Sequence, residues 1–174
     1  MTAKNTHNTA AATAQPLTAS RFRAALGLFA TGVTIVTARS AQGLPIGLTV
    51  NSFNSVSLVP PLVLWSLGTQ ASSMPAFEKA AHYAIHVLAV DQKHLAEIFA
   101  SKVADRFAGL DWTSNAQGVP ILPGCAAVFE CQAKSRYPEG DHVIFVGQVL
   151  HCAHEASRAP LLFHGGNFYT EHPL

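Results

Sequence analysis

Residues 47–64 read GLTVNSFNSVSLVPPLVL. The stretch places Thr49, Asn51, Ser52, Asn54, Ser55 and Ser57 between two apolar runs and closes on the pair Pro60-Pro61. Ser, Thr and Asn side chains compete with regular structure by bonding nearby backbone, so one reading is a Ser-rich loop that satisfies itself. The other is a set of small polar groups offered to a ligand. On either reading the chain is extended before it, from Leu44 to Asn51, and strand-like after it, from Leu62 to Leu67.

Upstream, Val33 to Ala38 is rich in β-branched residues and Ser40 to Gly43 supplies turn chemistry, so the two extended stretches form a hairpin. Phe22, Ala25, Leu26 and Phe29 recur at helical spacing, with Ser20 placed to cap the helix and Gly32 to end it. Residues 1–18, rich in Thr, Ala and Asn, lack the apolar core of a signal peptide and are expected to be a disordered tail. Residues 19–174 then form a single domain.

Downstream, Ser72 or Ser73 can cap a helix over Ser73 to Ala80, with Pro75 in its first turn. Tyr83 to Leu88 is strand-like. Asp91 opens a helix in which Leu95, Ile98 and Phe99 share a face. Asp105 to Pro123, punctuated by Gly and Pro, is expected to be a long surface loop, and loops of that length are commonly functional. Beyond Gly124, Ala127, Phe129, Cys131 and Ala133 alternate with Glu130, Gln132 and Lys134. The turn Pro138-Glu139-Gly140-Asp141 leads back through His142 to His151, and Gly165-Gly166 introduces a last segment from Asn167 to Thr170. Strands joined by hairpin-like turns, with helices inserted rather than alternating, predict a mainly β fold, an antiparallel barrel rather than a parallel doubly wound sheet.

Of 174 residues 49% are hydrophobic and 12% charged. That charge is about half the usual share of roughly 25%, which predicts surface hidden against a second copy. No apolar run reaches the roughly 18 residues of a membrane-spanning helix. A net charge of +1 with scattered Lys and Arg gives no stripe for a phosphate backbone, so nucleic acid is an unexpected partner. Cys125, Cys131 and Cys152 have neither zinc-site spacing nor the pattern of a disulfide framework, and read as reduced thiols of a cytoplasmic protein. A phosphate-binding Gly-rich fingerprint, a nucleophile elbow and a two-His zinc helix are all absent.

Several segments are familiar in order. Gly32-Val33-Thr34-Ile35-Val36-Thr37, the stretch from Gly47 to Leu64, Ala71-Ser72-Ser73, Asp105-Arg106-Phe107-Ala108-Gly109, Gly140-Asp141-His142 and Pro160-Leu161-Leu162-Phe163-His164 together resemble the short-chain flavin reductases of two-component monooxygenases. The resemblance runs from about Phe22 to Tyr169. It implies an FMN-binding split β-barrel, a homodimer, and a flavin site near the dimer interface. It further implies hydride transfer from NADH or NADPH to FMN or FAD, with the reduced flavin passed to a partner oxygenase.

By the same resemblance Leu48, Thr49, Val50, Asn51, Ser52 and Phe53 line the isoalloxazine, and Ser66 lies beside them. An apolar ring with a polar rim calls for such a mixture. Ser72 and Ser73 receive the flavin phosphate at a helix start, where exposed N–H groups favour an anion, and Lys102 or Arg106 adds positive charge. Ordinary capping is the plainer role for the two serines. His142 is expected to hold or polarise the nicotinamide carboxamide, although one of nine histidines is more often structural. Asp141 beside it is a candidate to orient the ring, but neighbouring strand residues point to opposite faces, so no proton relay is assigned to the pair. Tyr169 can stack on a ring, where simple packing is the alternative. Many relatives carry an Arg near Gly165-Gly166-Asn167, and this chain does not.

Two other classes use the same architecture. A non-enzymatic flavin-binding electron carrier would bind flavin without oxidising NADH. An oxidase of the pyridoxamine-phosphate type needs a basic pocket, which the sparse Lys and Arg disfavour.

Overall fold

The computed structural model describes residues 16–172. The tail expected over residues 1–18 thus lies almost wholly outside the described residues. Helix α1 spans Ala19–Gly27. Its N-cap is Thr18 rather than Ser20, with the Thr18 hydroxyl accepting from Arg21 N–H at 3.3 Å. The helix stops short of Gly32, and Thr31–Gly32 form a short strand, β1. None of its residues is buried.

The strands that follow are β2 (Thr34–Arg39), β3 (Pro45–Val50), β4 (Asn54–Leu58) and β5 (Pro61–Gly68). After helix α2 (Met74–Lys79) come β6 (His82–Val87), a 3-10 turn at Val90–Gln92 and helix α3 (Lys93–Ala100). The chain ends with β7 (Thr113–Ser114), β8 (Pro120–Ile121), β9 (Ala127–Glu139), β10 (His142–His154), β11 (Leu162–His164) and β12 (Asn167–Tyr169). The expected loop from Asp105 to Pro123 therefore contains a small two-stranded sheet of its own, β7 with β8.

Seven strands form one sheet in the order β3-β2-β6-β9-β10-β5-β4, every pair antiparallel. The sheet curls but is not closed by strand pairing. Instead, Ser52, the second residue beyond β3, reaches β5 through its side chain: the Ser52 hydroxyl accepts from Ser66 N–H at 2.9 Å and donates to Ser66 C=O at 3.2 Å. This is the split in the barrel. Strand β4, at the sheet edge, occupies part of the stretch read as a Ser-rich loop, and Val59-Pro60 is a cis peptide at its end.

Both faces of the sheet are covered, which explains why β2 is buried almost throughout. Val36 and Ala38 point into one core, with Trp65, Phe77, Tyr83, Ile85 and Phe145. Trp65 stacks on Phe145 with centroids 4.5 Å apart and takes edge contacts from Phe77 and Tyr83. Such aromatic pairs add about 0.5–1.5 kcal/mol each beyond area burial. Val33 and Ile35 point into the other core, with Leu88, Phe99, Phe107, Leu122 and Leu161. In β9 the expected alternation holds: Cys131 is buried, Phe129 and Ala133 pack on the first core, and Gln132 and Lys134 are exposed.

His86 crosses into the second core and is fully buried. Its Nδ1 lies 3.1 Å from Ile35 C=O, and its Nε2 accepts from Leu122 N–H at 3.1 Å. One ring nitrogen donates and the other accepts, which is the pattern of a neutral imidazole. Burial holds its pKa down at about 4.

Candidate functional site

The end of the first hairpin is pinned from two sides. Thr34 Oγ1 donates to Val50 C=O at 2.9 Å, and Ser52 is laced to Ser66. Ser52 and Phe53 lie between strands, and among the described residues their backbone N–H groups find no acceptor. The Asn51 side chain is exposed and makes no hydrogen bond among the described residues. The segment is thus rigid in its anchors and open in its donors, which is what a binding edge requires.

Two clefts adjoin this segment and share Leu48 and Thr49. The larger, about 780 Å³, is lined by β3 from Pro45 to Thr49, by Gln70 to Ser73, and by Phe99 to Phe107. The smaller, about 540 Å³, is lined by Leu48 to Ser52, Ser66 to Gly68, Glu139, His142 and Ile144. Together they gather ten of the sequence-expected cofactor residues with His142: Leu48, Thr49, Val50, Asn51 and Ser52 along one wall, Ser66 opposite, and Ser72, Ser73, Lys102 and Arg106 at the far end.

Gly47 permits the larger cleft its shape. A Cβ there would stand 2.6 Å from Phe99 Cε1, so α3 packs this closely only against a glycine. The Thr49 hydroxyl then donates to Ala96 C=O at 2.7 Å. Its proton is committed to the scaffold, and Thr49 keeps oxygen lone pairs and backbone for any ligand.

Arg106 is likewise engaged. Its Nη1 donates to Gly47 C=O at 2.8 Å, and Nε and Nη2 donate to Ser101 C=O at 3.2 and 2.6 Å. It lines the cleft as a clamp between loop and strand rather than as a free cation. Lys102 is exposed on the same wall. Ser73 occupies the N-cap position of α2 without a side-chain capping bond, and Ser72 beside it is exposed. The capping role considered for the two serines is therefore not taken up by their side chains.

The second cleft holds a contact that strand alternation argued against. Asp141 Oδ1 lies 2.6 Å from His142 Nδ1. Asp141 sits in the tight turn before β10, not in the strand, so the rule of opposite faces does not govern it. The bond to His142 holds the Asp141 carboxyl below its ordinary range. Glu139, Gly68 and Ile144 also line this cleft and were not expected there; Glu139 and Ile144 carry no local signal beyond membership of the two strands around the turn.

Two expected residues stand elsewhere. Phe53 turns into the first core and packs on Phe129 with centroids 5.3 Å apart, and it lines neither cleft. Tyr169 lies on β12 in the three-stranded sheet β1-β11-β12, half exposed, with its ring against His164. Among the described residues no cluster of His, Cys, Asp and Glu has the make-up of a metal site, and no helix is long and apolar enough to cross a membrane. Burial pushes the thiols of Cys125 and Cys131 up to about 11 and about 12, which leaves them inert.

The family described as flavin reductase like domain matches residues 26–172. Over 147 residues the chain is 53% identical to the FMN reductase (NADH) SmoA of Agrobacterium fabrum, covering 84% of this chain and 83% of that one. Over 158 residues it is 38% identical to HsaB, the reductase subunit of a flavin-dependent monooxygenase from Rhodococcus jostii, covering 91% and 80%. The solved flavin reductase of styrene monooxygenase from Pseudomonas putida S12 superposes with a TM-score of 0.81 at 33% identity, covering 88% of this chain and 99% of that one. Some relatives are longer, and the chain spans 44% of the length of one of them.

Proposed function

The chain belongs to the flavin reductase like family, and on that premise we propose that its two adjoining clefts are the flavin and nicotinamide seats of one active site. The protein is an NAD(P)H:flavin oxidoreductase, and the reduced flavin it makes is passed to a partner monooxygenase. The observation that carries the site assignment is the continuity of the clefts through Leu48 and Thr49. It sets the segment from Leu48 to Ser52 between an anion-suited end and His142.

Leu48 and Val50 supply apolar contact to the flavin ring, while Asn51 and the unpaired N–H groups of Ser52 and Phe53 meet its polar rim. Ser72, Ser73 and Lys102 receive the phosphate. His142 holds the carboxamide of the nicotinamide. When the two cofactors are bound, hydride passes from nicotinamide C4 to flavin N5, chemistry that belongs to the cofactors themselves. The chain's own share is to hold the rings in register and order their polar edges. No side chain is required as acid or base at the hydride step.

The active form is a homodimer. This reading is supported by α1, whose Phe22 and Leu26 stay more than half exposed among the described residues, and by Leu58 and Val59 at the sheet edge, 88% and 92% exposed. Burial of such surface against a second copy is worth roughly 25 cal/mol per Å² of apolar area. The protein acts in the cytoplasm, where Cys125, Cys131 and Cys152 stay reduced.

The deciding experiment follows absorbance at the nicotinamide band with each nucleotide paired against each flavin. Flavin-dependent oxidation in at least one pairing is expected, and its failure in all four would leave a flavin carrier. Sedimentation of the purified protein tests the dimer.

A further inference from the structure

Resting on the assignment of His142 to the nicotinamide, the geometry points to Asp141 as a positioning residue: its carboxylate fixes the proton of His142 on Nδ1, so that the ring presents an unprotonated Nε2 to the cleft as an acceptor for the carboxamide N–H.

An ionised carboxylate accepts hydrogen bonds and donates none. At 2.6 Å from Asp141 Oδ1, His142 Nδ1 must therefore carry the hydrogen. In the neutral ring this leaves the lone pair on Nε2, the reverse of the tautomer that a free imidazole side chain prefers in water. Asp141 stays ionised through the working range, since the His142 bond holds its pKa down.

The carboxylate is placed by its own backbone. Thr69 N–H and the Thr69 hydroxyl both donate to Asp141 C=O, at 2.9 and 3.2 Å, tying the turn to the end of β5. The ring then lies over Gly68, whose missing Cβ would stand 3.7 Å from His142 Nε2. Nε2 is thereby brought to the wall that Ser66, Leu67 and Gly68 form in the smaller cleft. The other charged group beside the ring is Glu139, its cross-strand neighbour on β9, which makes no hydrogen bond to it. Selection of the tautomer thus falls to Asp141. The carboxamide NH2 of a dihydronicotinamide is a donor that an unprotonated Nε2 accepts, and the pairing turns the ring's polar edge toward β10.

The test joins imidazole ¹⁵N NMR of the full-length protein to steady-state kinetics of Asp141→Ala, Asp141→Glu and His142→Ala. In the unmodified protein the His142 spectrum is expected to show hydrogen on Nδ1 and none on Nε2, and in Asp141→Ala the preference reverses. Loss of a charge-assisted hydrogen bond predicts a KM for NADH raised about tenfold in Asp141→Ala, with kcat and flavin affinity unchanged and part of the effect recovered in Asp141→Glu. Asp141 is exposed and its carboxylate bonds only His142 among the described residues, so these variants keep the fold. An Nε2–H signal in the unmodified protein overturns the proposal, as does an unchanged KM in Asp141→Ala when His142→Ala raises it. An unchanged KM in His142→Ala overturns the nicotinamide assignment itself.

Discussion

The Arg106 guanidinium is bonded at 2.8 Å to the carbonyl of Gly47, and with its remaining contacts to Ser101 it straps the loop after α3 onto β3. A role in neutralising phosphate and a role in holding the wall make different demands on the side chain. Lys retains the charge but lacks the planar fork that spans two carbonyls. Arg106→Lys is therefore expected to behave like Arg106→Ala: flavin KM rises about tenfold, and stability falls by about 1–3 kcal/mol, as for hydrogen bonds from a charged donor. Steady-state flavin titration and urea unfolding measure the two effects. Normal flavin KM in Arg106→Lys would mean that charge, not the strap, is what the site uses.

Gly147 on β10 faces Tyr83 on β6 across the first core. A Cβ at 147 would stand 2.3 Å from Tyr83 Oη and 2.9 Å from Tyr83 Cζ. Neither atom can retreat, because Tyr83 is packed edge-on to Trp65. Overfilling a packed core costs about 1–3 kcal/mol, and Gly147→Ala should lie at the upper end. Adding Tyr83→Phe removes the nearer clash and leaves the Cζ contact, so the double variant recovers part of the loss. Denaturant midpoints of the single and double variants decide it; equal midpoints would show that the strand shifts instead.

What was legible in the sequence follows from which surfaces each segment meets. Cys131 to Lys134 reads plainly because along this part of β9 one face meets a core and the other, with Gln132 and Lys134, meets solvent. Asn54 to Leu58 hides its strand, since at the sheet edge its side chains are mostly exposed and its Ser and Asn carry no alternation. The end of α1 is misplaced for a related reason: none of its residues is buried among the described residues, so their periodicity has no buried boundary. The segment from Leu48 to Ser52 and the serines near α2 were found through family likeness, and the fold does bring them together. Phe53 could not be told from a ligand contact, because a core aromatic and a stacking aromatic look alike in a string of letters. The Arg106 clamp joins residues 59 apart to a backbone carbonyl, which has no sequence signature at all.

Acid should loosen the second core through His86. The unfolded chain takes up a proton on this ring near pH 6.5, while the folded chain resists until about pH 4. Between these values the unfolded state binds more protons, so stability rises with pH across that window. The contribution, about 3 kcal/mol on the scale of 1.36 kcal/mol per unit, is complete above pH 6.5 and is lost as pH falls toward 4. Urea midpoints measured across the window should fall steeply, and His86→Leu should show a shallower slope from a lower starting point. An unchanged slope in that variant would assign acid sensitivity to other groups.

Asn51 and Ser52 are neighbours with separable duties. The Ser52 hydroxyl serves both main-chain groups of Ser66, so Ser52→Ala leaves that N–H and C=O without their partner. A loss of about 1–3 kcal/mol is expected for unsatisfied main-chain groups, together with weaker flavin binding because the loop donors lose their anchor. The Asn51 amide is exposed and bonds nothing among the described residues, so Asn51→Ala should leave stability within about 0.5 kcal/mol, as surface changes do, while still weakening flavin binding. Flavin fluorescence quenching and flavin-free urea unfolding separate the two effects. Undiminished flavin affinity in Asn51→Ala, beside a weakened Ser52→Ala, would confine recognition to the main chain of this segment.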